Sequence, residues 1–205
     1  MPFLADPLGD TLTRIRNAYG ARHEEVIMPA SQWRVSLAQV LKREGYISDY
    51  WVVKESDLQK GRAIVHQALE KRLIPSVAFR NPELDWVETL KRKGLNISRE
   101  AEKELRIIRQ LFAAKILKHP KRWGPLKSGV LFIRLKYLEG FPPRPAITGI
   151  QQVSRPSRRL YAGRRKLPRV RAGLGIAIVS THLGVMSDSE ARRKGVGGQI
   201  LAYIW

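Results

Sequence analysis

The chain has 205 residues, no cysteine, and 38 Lys and Arg against 18 Asp and Glu, a formal net charge of +20. The lack of cysteine excludes disulfides, thiolate zinc sites and cysteine nucleophiles, and the longest apolar runs are too short to span a bilayer. A hydrophobic fraction of 43% suffices for folded cores, so the charge points to a polyanionic partner. Residues 1–60 carry no net charge, whereas 61–127 carry +9 and 128–205 carry +11.

The first fifty residues predict the order helix, strand, helix, strand, which is typical of a compact α/β domain. Asp6 and Pro7 open the first helix, whose apolar stripe consists of Leu8, Leu12, Ile15 and Tyr19. Another face carries Thr11, Arg14 and Ala18 with Arg16 and Asn17 beside it. That face either presents two guanidinium groups to an anion or is simply solvated. A strand at 24–28, a helix capped by Ser31 and a strand at 46–53 follow.

Residues 56–127 differ in pattern and charge: the segment is basic, and its pattern is helical. Helices are predicted at 82–93 and 99–118. Ser98 can cap the longer helix, and its apolar stripe consists of Leu105, Ile108, Phe112 and Ile116. We interpret this segment as an insert between two strands that would otherwise be close neighbours; a separate third domain is the alternative. The pair of helices at 82–118 is expected to be exposed and to dock onto a neighbouring protein or onto RNA, and the charge favours RNA. The apolar stripe of the longer helix must be covered by its own domain or by a partner.

Strands predicted at 130–137 and 146–153 lead into an arginine-rich loop at 154–171. The loop holds eight basic residues, no acid and one tyrosine, Tyr161. Such a loop can clamp phosphates while its ring stacks on a base or sugar, although charged runs are often only solvated surface. We therefore expect Arg155, Arg158 and Tyr161 to contact nucleic acid.

The last stretch, Gly173–Trp205, predicts a strand, a polar turn, a short helix and a final strand. Ser187 and Glu190 stand in the spacing of a capping box, which predicts a helix start. Gly197 and Gly198 allow another backbone to approach closely. A hydroxyl-rich turn beside a cluster of three cations, Arg192–Arg193–Lys194, suits a sugar–phosphate backbone.

None of the enzyme motifs considered has the required residues in the required context, so the sequence predicts a protein that is not an enzyme. The Gly173-x-Gly175 pair precedes a strand rather than following one, no P-loop lysine motif is present, and the four histidines are far apart. Ser180, Thr181 and His182 are adjacent in an extended segment, so their side chains alternate between faces. We expect no catalytic residue, metal, cofactor, small-molecule substrate or membrane partner.

Long motifs in a fixed order resemble the family of small-subunit ribosomal protein number eight. They are DPLGDTLTRIRNA at 6–18, MPAS at 28–31, LKREGYISDY at 41–50, IQQVSRPSRRLY at 150–161, LPRV at 167–170, GLGIAIVST at 173–181 and GVMSDSEARRKGVGGQILAYIW at 184–205. The resemblance covers residues 1–53 and 128–205, and none is seen for 54–127. It implies an α+β fold with an N-terminal α-β-α-β-β domain and a β-rich C-terminal domain.

The resemblance also implies which residues bind small-subunit rRNA. Hydroxyl and backbone contacts to an irregular RNA helix would come from Ser180, Thr181, Gly184, Val185 and Met186. Tyr161 matches an RNA-facing aromatic residue, Gly197 and Gly198 precede the final strand, and Thr13, Arg14 and Asn17 match the motif of the first helix. Two expected contacts depart from the family pattern, because His182 replaces a small polar residue and Gln199 replaces an acid.

The sequence thus predicts four segments: an N-terminal α/β part at 1–53, a basic helical insert at 54–127, strands completing the N-terminal domain at 128–153, and an rRNA-binding domain at 154–205. The expected function is a structural constituent of the small ribosomal subunit that binds a central-domain rRNA helix, contacts neighbouring small-subunit proteins and supports platform assembly. The alternative is a translational regulator that binds an mRNA mimic of the rRNA site. A large insert favours a mitochondrial ribosome, with a bacterial or plastid one as alternatives.

Overall fold

A computed structural model describes residues 6–73, 75, 81, 85–117 and 128–205, and the fold is α+β as predicted. The helices are α1 (Pro7–Gly20), α2 (Gln32–Arg43), α3 (Gln59–Glu70), α4 (Trp86–Arg92), α5 (Arg99–Ala113) and α6 (Asp188–Arg193). The strands are β1 (Glu25–Pro29), β2 (Ile47–Val53), β3 (Val130–Leu135), β4 (Tyr137–Leu138), β5 (Arg144–Pro145), β6 (Ile150–Gln152), β7 (Tyr161–Ala162), β8 (Ile176–Thr181), β9 (Gly184–Ser187) and β10 (Gly198–Ile204). None of the helices within the described ranges has the length and apolar character needed to cross a membrane.

The chain forms two compact units. The first contains 1–26, 31–51 and 132–205, and the second contains 27–30 and 52–131. The second unit includes the segment 54–127, whose interpretation as an insert stays a prediction. The first holds both the predicted N-terminal and C-terminal domains, and their division into two domains stays a prediction.

Three sheets organise the described strands. One has the order β1-β3-β2, a small one pairs β4 with β5, and the largest has the order β6-β10-β8-β9 with β7 also paired to β10. The largest sheet is antiparallel in every pair. Its strands are shorter than the sequence indicated between 146 and 153, where only Ile150–Gln152 is extended. β3 likewise ends at Leu135, before the predicted end at 137.

The helices of the first unit follow the sequence pattern with two corrections. Asp6 caps α1 by accepting a hydrogen bond from the Gly9 amide at 2.9 Å, and Leu12, Ile15 and Tyr19 are buried as the stripe predicts. Ser31 occupies the N-cap position of α2, but its hydroxyl makes no capping hydrogen bond. The predicted second face of α1 is not uniformly exposed, because Thr11 and Ala18 are buried.

The short helix α6 begins where the capping box predicts. The Ser187 hydroxyl accepts a hydrogen bond from the Glu190 amide at 3.3 Å. The Glu190 carboxylate does not complete a reciprocal box; it pairs with Lys194 at 2.9 Å and with Arg43 in the last turn of α2. The side chain of Glu190 therefore joins α6 to α2.

The second unit has a hydrophobic core of its own. Three helices contribute fully buried side chains to it, with α3 and α4 each packed against α5: Val65, Trp86, Leu90, Leu105, Ile108 and Leu111. Leu58, just before α3, is buried as well. Glutamates in the first turns of α5 also join the helices. Glu104 accepts a hydrogen bond from the Gly61 amide at 2.7 Å, Glu100 pairs with Lys60, and Glu102 pairs with Lys91 at 2.5 Å.

This core covers most of the apolar stripe of α5. Leu105, Ile108 and Phe112 are buried, whereas the docking of the helical pair onto RNA or protein stays a prediction. The sequence missed α3 entirely, and α5 ends at Ala113 rather than at 118, because Lys115 takes a positive φ of 56°. Residue 118 and the predicted start of the first insert helix at 82 lie outside the described residues.

Truncation of a core leucine tests whether the second unit holds itself together. Leu105→Ala is expected to destabilise the unit by about 2–5 kcal/mol, because it removes buried methyl groups and leaves a cavity. Hydrogen exchange of the α5 amides measures the loss. Gln110→Ala on the exposed side of α5 is the control, with an expected change within about 0.5 kcal/mol. Equal effects of the two substitutions would contradict a self-contained core.

The link between α2 and α6 is expected to depend on pH. The hydrogen bond from Lys194, helped by the charge of Arg43, holds the pKa of Glu190 below its usual value. Its stabilisation is therefore full above the ordinary glutamate pKa of about 4.3 and is lost as the pH falls through the lower folded-state pKa. Glu190→Gln should lower the urea midpoint at neutral pH and leave it unchanged in acid. Glu139→Gln, at an exposed carboxylate, controls for net charge, and a pH-independent deficit would refute the assignment.

Candidate nucleic-acid interface

Strand β10 brings together predicted site residues from four strands. Gln199 lies opposite Tyr161 of β7 and Ser180 of β8, and Ser180 lies opposite Val185 of β9. Directly paired residues in an antiparallel sheet project to the same face. Tyr161, Gln199, Ser180 and Val185 therefore form a row, called here the four-strand row, which spans about 14 Å at about 4.8 Å per strand pair.

The two faces of the sheet differ in burial at this row. The Tyr161 side chain is 67% exposed, whereas Val179, Met186 and Ile200, one position along their strands, lie in a hydrophobic core on the other face. Met186 is only 2% exposed. Its side chain is thus withdrawn from the face that carries the row, and only its backbone could contribute to a contact there.

A groove of about 350 Å³ opens beside the four-strand row. Ser180, Val185 and Gln199 line it together with Asp6 at the start of α1 and Trp33 of α2. Two residues along β8, the same face of the sheet is fully buried, where Ile178 pairs with Ala202. The face is therefore accessible at the four-strand row and buried at the Ile178–Ala202 pair.

The turn between β8 and β9 is fixed by its own threonine. The Thr181 hydroxyl donates to the Gly184 carbonyl at 2.9 Å and accepts from the Leu183 amide at 3.0 Å. His182 and Leu183 are exposed at the tip, and Gly184 takes a φ of 105° that disfavours other residues. The hydroxyl of Thr181 thus shapes the turn, while the tip residues are free to meet a ligand.

The double glycine Gly197–Gly198 at the start of β10 is required by the protein's own packing. A Cβ at Gly198 would lie 2.1 Å from the Ser180 carbonyl oxygen, and one at Gly197 would lie 2.4 Å from that of Ala162. The close approach predicted from the sequence is therefore between strands of this chain.

The arginine-rich loop leaves the sheet at a buried serine. The Ser154 hydroxyl donates to the Ile200 carbonyl at 2.6 Å and accepts from the Leu160 amide at 3.1 Å. Arg155 and Arg158 then exchange two backbone hydrogen bonds across a tight turn. All eight basic residues of 154–171 are exposed, and within the described part of the chain none has a carboxylate in ion-pair range.

The cluster of three cations in and after α6 is less available than its sequence indicates. Arg192 bonds to Asp188 at 2.7 Å and to the carbonyls of Leu167 and Pro168. Lys194 pairs with Glu190. Two of the three cations are thus bound within the protein.

The predicted residues of α1 lie on a separate surface. Thr13, Arg14 and Asn17 are all exposed, but they begin about 9 Å along the helix from the Pro7 end that borders the groove. Arg14 pairs with Asp10 at 2.9 Å, and Arg16 donates to the Ile150 carbonyl at 2.7 Å. Internal acceptors thus bind both guanidinium groups in this structure, and the contact of this helix with an anion stays a prediction.

Comparison with known families decides the classification. The model of a family described as ribosomal protein S8 matches residues 6–121 and 88–205. The chain belongs to the ribosomal protein S8 family. It is similar to the small ribosomal subunit protein uS8 of Caldicellulosiruptor bescii, with 34% identity over 203 residues and 99% of each chain covered. The corresponding proteins of Persephonella marina and Zymomonas mobilis are 32% and 37% identical over 202 residues, and at least 98% of each chain is covered.

These relatives bear on two predictions made from the sequence. The family resemblance is confirmed. All three relatives are bacterial, so they give no support to a mitochondrial ribosome. The S8 family model matches in two overlapping pieces, and both extend into 54–127, the segment for which the sequence showed no resemblance.

Four residues of this S8-family surface were not predicted as site residues. Asp6, Trp33 and Arg159 line the groove, and Ser154 fixes the start of the arginine-rich loop. Arg159 could have been chosen from charge alone, since it adjoins Arg158. The other three depend on which elements meet in space, and no local pattern reveals that.

Replacement of the second glycine tests its packing role. Gly198→Ala is expected to cost about 1–3 kcal/mol, because the new Cβ would overlap the Ser180 carbonyl. Gly163→Ala is the matched control, since it has open space around it and a φ of −71°. Urea unfolding measures both. A neutral Gly198→Ala would show that β8 and β10 can separate without cost.

Proposed function

We propose that this protein is a structural constituent of the small ribosomal subunit that binds a central-domain helix of small-subunit rRNA through the four-strand row and the arginine-rich loop. Membership of the ribosomal protein S8 family supports the ribosomal part of the proposal. The relatives are themselves named small ribosomal subunit proteins. The observation that carries the RNA part is the four-strand row beside unneutralised arginines.

The chemistry of this surface suits an irregular RNA helix. A hydroxyl, an amide and an exposed aromatic ring stand in one line, so hydrogen bonds to 2′-hydroxyls or base edges can combine with stacking on an unpaired base. The adjacent cations can neutralise phosphates, because no carboxylate of the described chain competes for them. The exposed residues Thr13, Arg14 and Asn17 would form a second contact.

Further parts of the proposal concern the subunit. Binding at a central-domain helix would position the protein beside neighbouring small-subunit proteins and support assembly of the platform. Its bacterial relatives favour a bacterial-type ribosome. A regulator that binds an mRNA mimic of the same site uses the same surface, so cell fractionation distinguishes the two roles.

Sucrose gradients of native lysate at moderate and high salt test the ribosomal role. We expect the protein to migrate with the small subunit and to remain there at high salt. The purified protein should also prefer a central-domain rRNA fragment over duplex RNA of equal length. Its affinity should fall by about 0.7 to 0.9 decade per tenfold salt for each phosphate neutralised. A free protein in the gradient would favour the regulator, and equal binding to both RNAs would refute the site.

Removal of the exposed ring tests the four-strand row. Tyr161→Ala is expected to weaken binding to the rRNA fragment by about 5- to 150-fold, the value of stacking one base on an aromatic side chain. Tyr161→Phe keeps the ring and should retain most of the affinity. Phe141→Ala removes an even more exposed aromatic side chain from the β4–β5 hairpin and is expected to have no effect. Fluorescence anisotropy at fixed salt measures all three, and equal losses at 141 and 161 would contradict the assignment.

A further inference from the structure

We infer that Arg192 is a positioning residue for RNA binding, which holds the basic segment 164–171 in place and does not itself meet phosphate. The inference rests on the proposed function, because it assumes that this segment contacts rRNA. From the sequence, Arg192 would belong with Arg193 and Lys194 to a cluster of cations that faces RNA. The inference gives Arg192 a different role.

The guanidinium of Arg192 makes three hydrogen bonds inside the protein. One nitrogen donates to Asp188 Oδ2 at 2.7 Å, and the other donates to the backbone carbonyls of Leu167 at 3.1 Å and Pro168 at 3.0 Å. Asp188 is itself fixed, because its other oxygen accepts from the Ala177 amide of β8 at 3.0 Å. A chain of bonds therefore runs from β8 through α6 to the loop.

The loop is held at the same place by apolar contacts. Leu167 and Val170 are buried in the core that also contains Val179, Met186 and Ile200. The two carbonyls that Arg192 binds are those of Leu167, which is part of this core, and of Pro168 beside it. The five cations around this anchor are all exposed: Arg164, Arg165, Lys166, Arg169 and Arg171. Arg171 also lies over the Trp205 ring, 4.8 Å from its centroid.

The geometry explains why an arginine, rather than another cation, stands at this position. A planar guanidinium can reach a carboxylate on one side and two carbonyls on the other, whereas an ammonium group has no such fork. With these acceptors bound, the side chain of Arg192 is only 30% exposed. Loss of Arg192 should therefore free the segment and cost several phosphate contacts, although only one charge is removed.

Two measurements on the full chain test the inference. The first is the rate of limited tryptic cleavage after Arg164, Arg165 and Lys166 without RNA. Arg192→Met should raise that rate about tenfold or more, the change expected from losing hydrogen bonds to a charged group. Arg193→Met is the matched control, because it removes one charge from the exposed neighbour, and its cleavage rate should stay at the wild-type value.

The second measurement is the slope of log affinity for the rRNA fragment against log salt. Arg192→Met should reduce the slope by about 1.4 to 2.7, the equivalent of two or three phosphates, whereas Arg193→Met should reduce it by at most about 0.9. Arg192→Lys keeps the charge but not the fork, so it should also reduce the slope. This variant remains informative if Arg192→Met fails to fold.

Each outcome separates the inference from the proposed function. Unchanged cleavage in the Arg192 variants would overturn the anchoring role, and faster cleavage with an unchanged slope would overturn the role in RNA binding. A slope loss of at most about 0.9 in Arg192→Met, with none in Arg192→Lys, would make Arg192 an ordinary phosphate contact. Failure of the wild-type chain to prefer the rRNA fragment would instead overturn the proposed function, and the role of Arg192 in RNA binding with it.

Discussion

The pairing of β10 with three other strands is the constraint on which the candidate surface depends. β10 meets β7 near its start, β6 near its end and β8 along its other edge. Because one strand sets the register of all three partners, the position of Gln199 fixes those of Tyr161 and Ser180. The glycine before it allows the approach, since any side chain there would overlap the Ser180 carbonyl. The surface is therefore a property of the sheet as a whole.

Charge in this protein is used in two different ways. In the second unit, lysines and arginines are paired with glutamates across helices, as Lys91 is with Glu102, so much of their charge is neutralised locally. In the loop 154–171, all the cations are exposed and face no carboxylate of the described chain. The same composition thus stabilises a helical unit in one place and leaves an open positive field in another. Net charge by segment cannot separate the two uses, because it does not show which charges meet.

The sequence predicted what depends on neighbours along the chain and missed what depends on contacts across it. Ser98 and Ser187 were correctly predicted as helix caps and Asp6 as the start of α1. The apolar period of α1 and α5 matched their buried faces, since both signals are local. The row of site residues required the register of four strands, which alternation alone does not supply. Period two would put Gln199 and Leu201 on one face, but β10 shifts register between Ile200 and Ala202, so that Ala202 lies opposite Ile178. The helix α3 was missed because its polar face and lone glycine obscure its apolar period.

The register shift in β10 also limits where this chain can change in length. The carbonyl of Leu201, the additional residue, accepts from the amides of Val153 and Ser154, at the point where the arginine-rich loop begins. Deletion of this one residue would remove the register shift together with the carbonyl that holds the start of the loop, and would therefore release the loop. The segment between β2 and β3, by contrast, accommodates a helical unit with its own core. Insertions and deletions in relatives should therefore accumulate between β2 and β3 and be almost absent from β10.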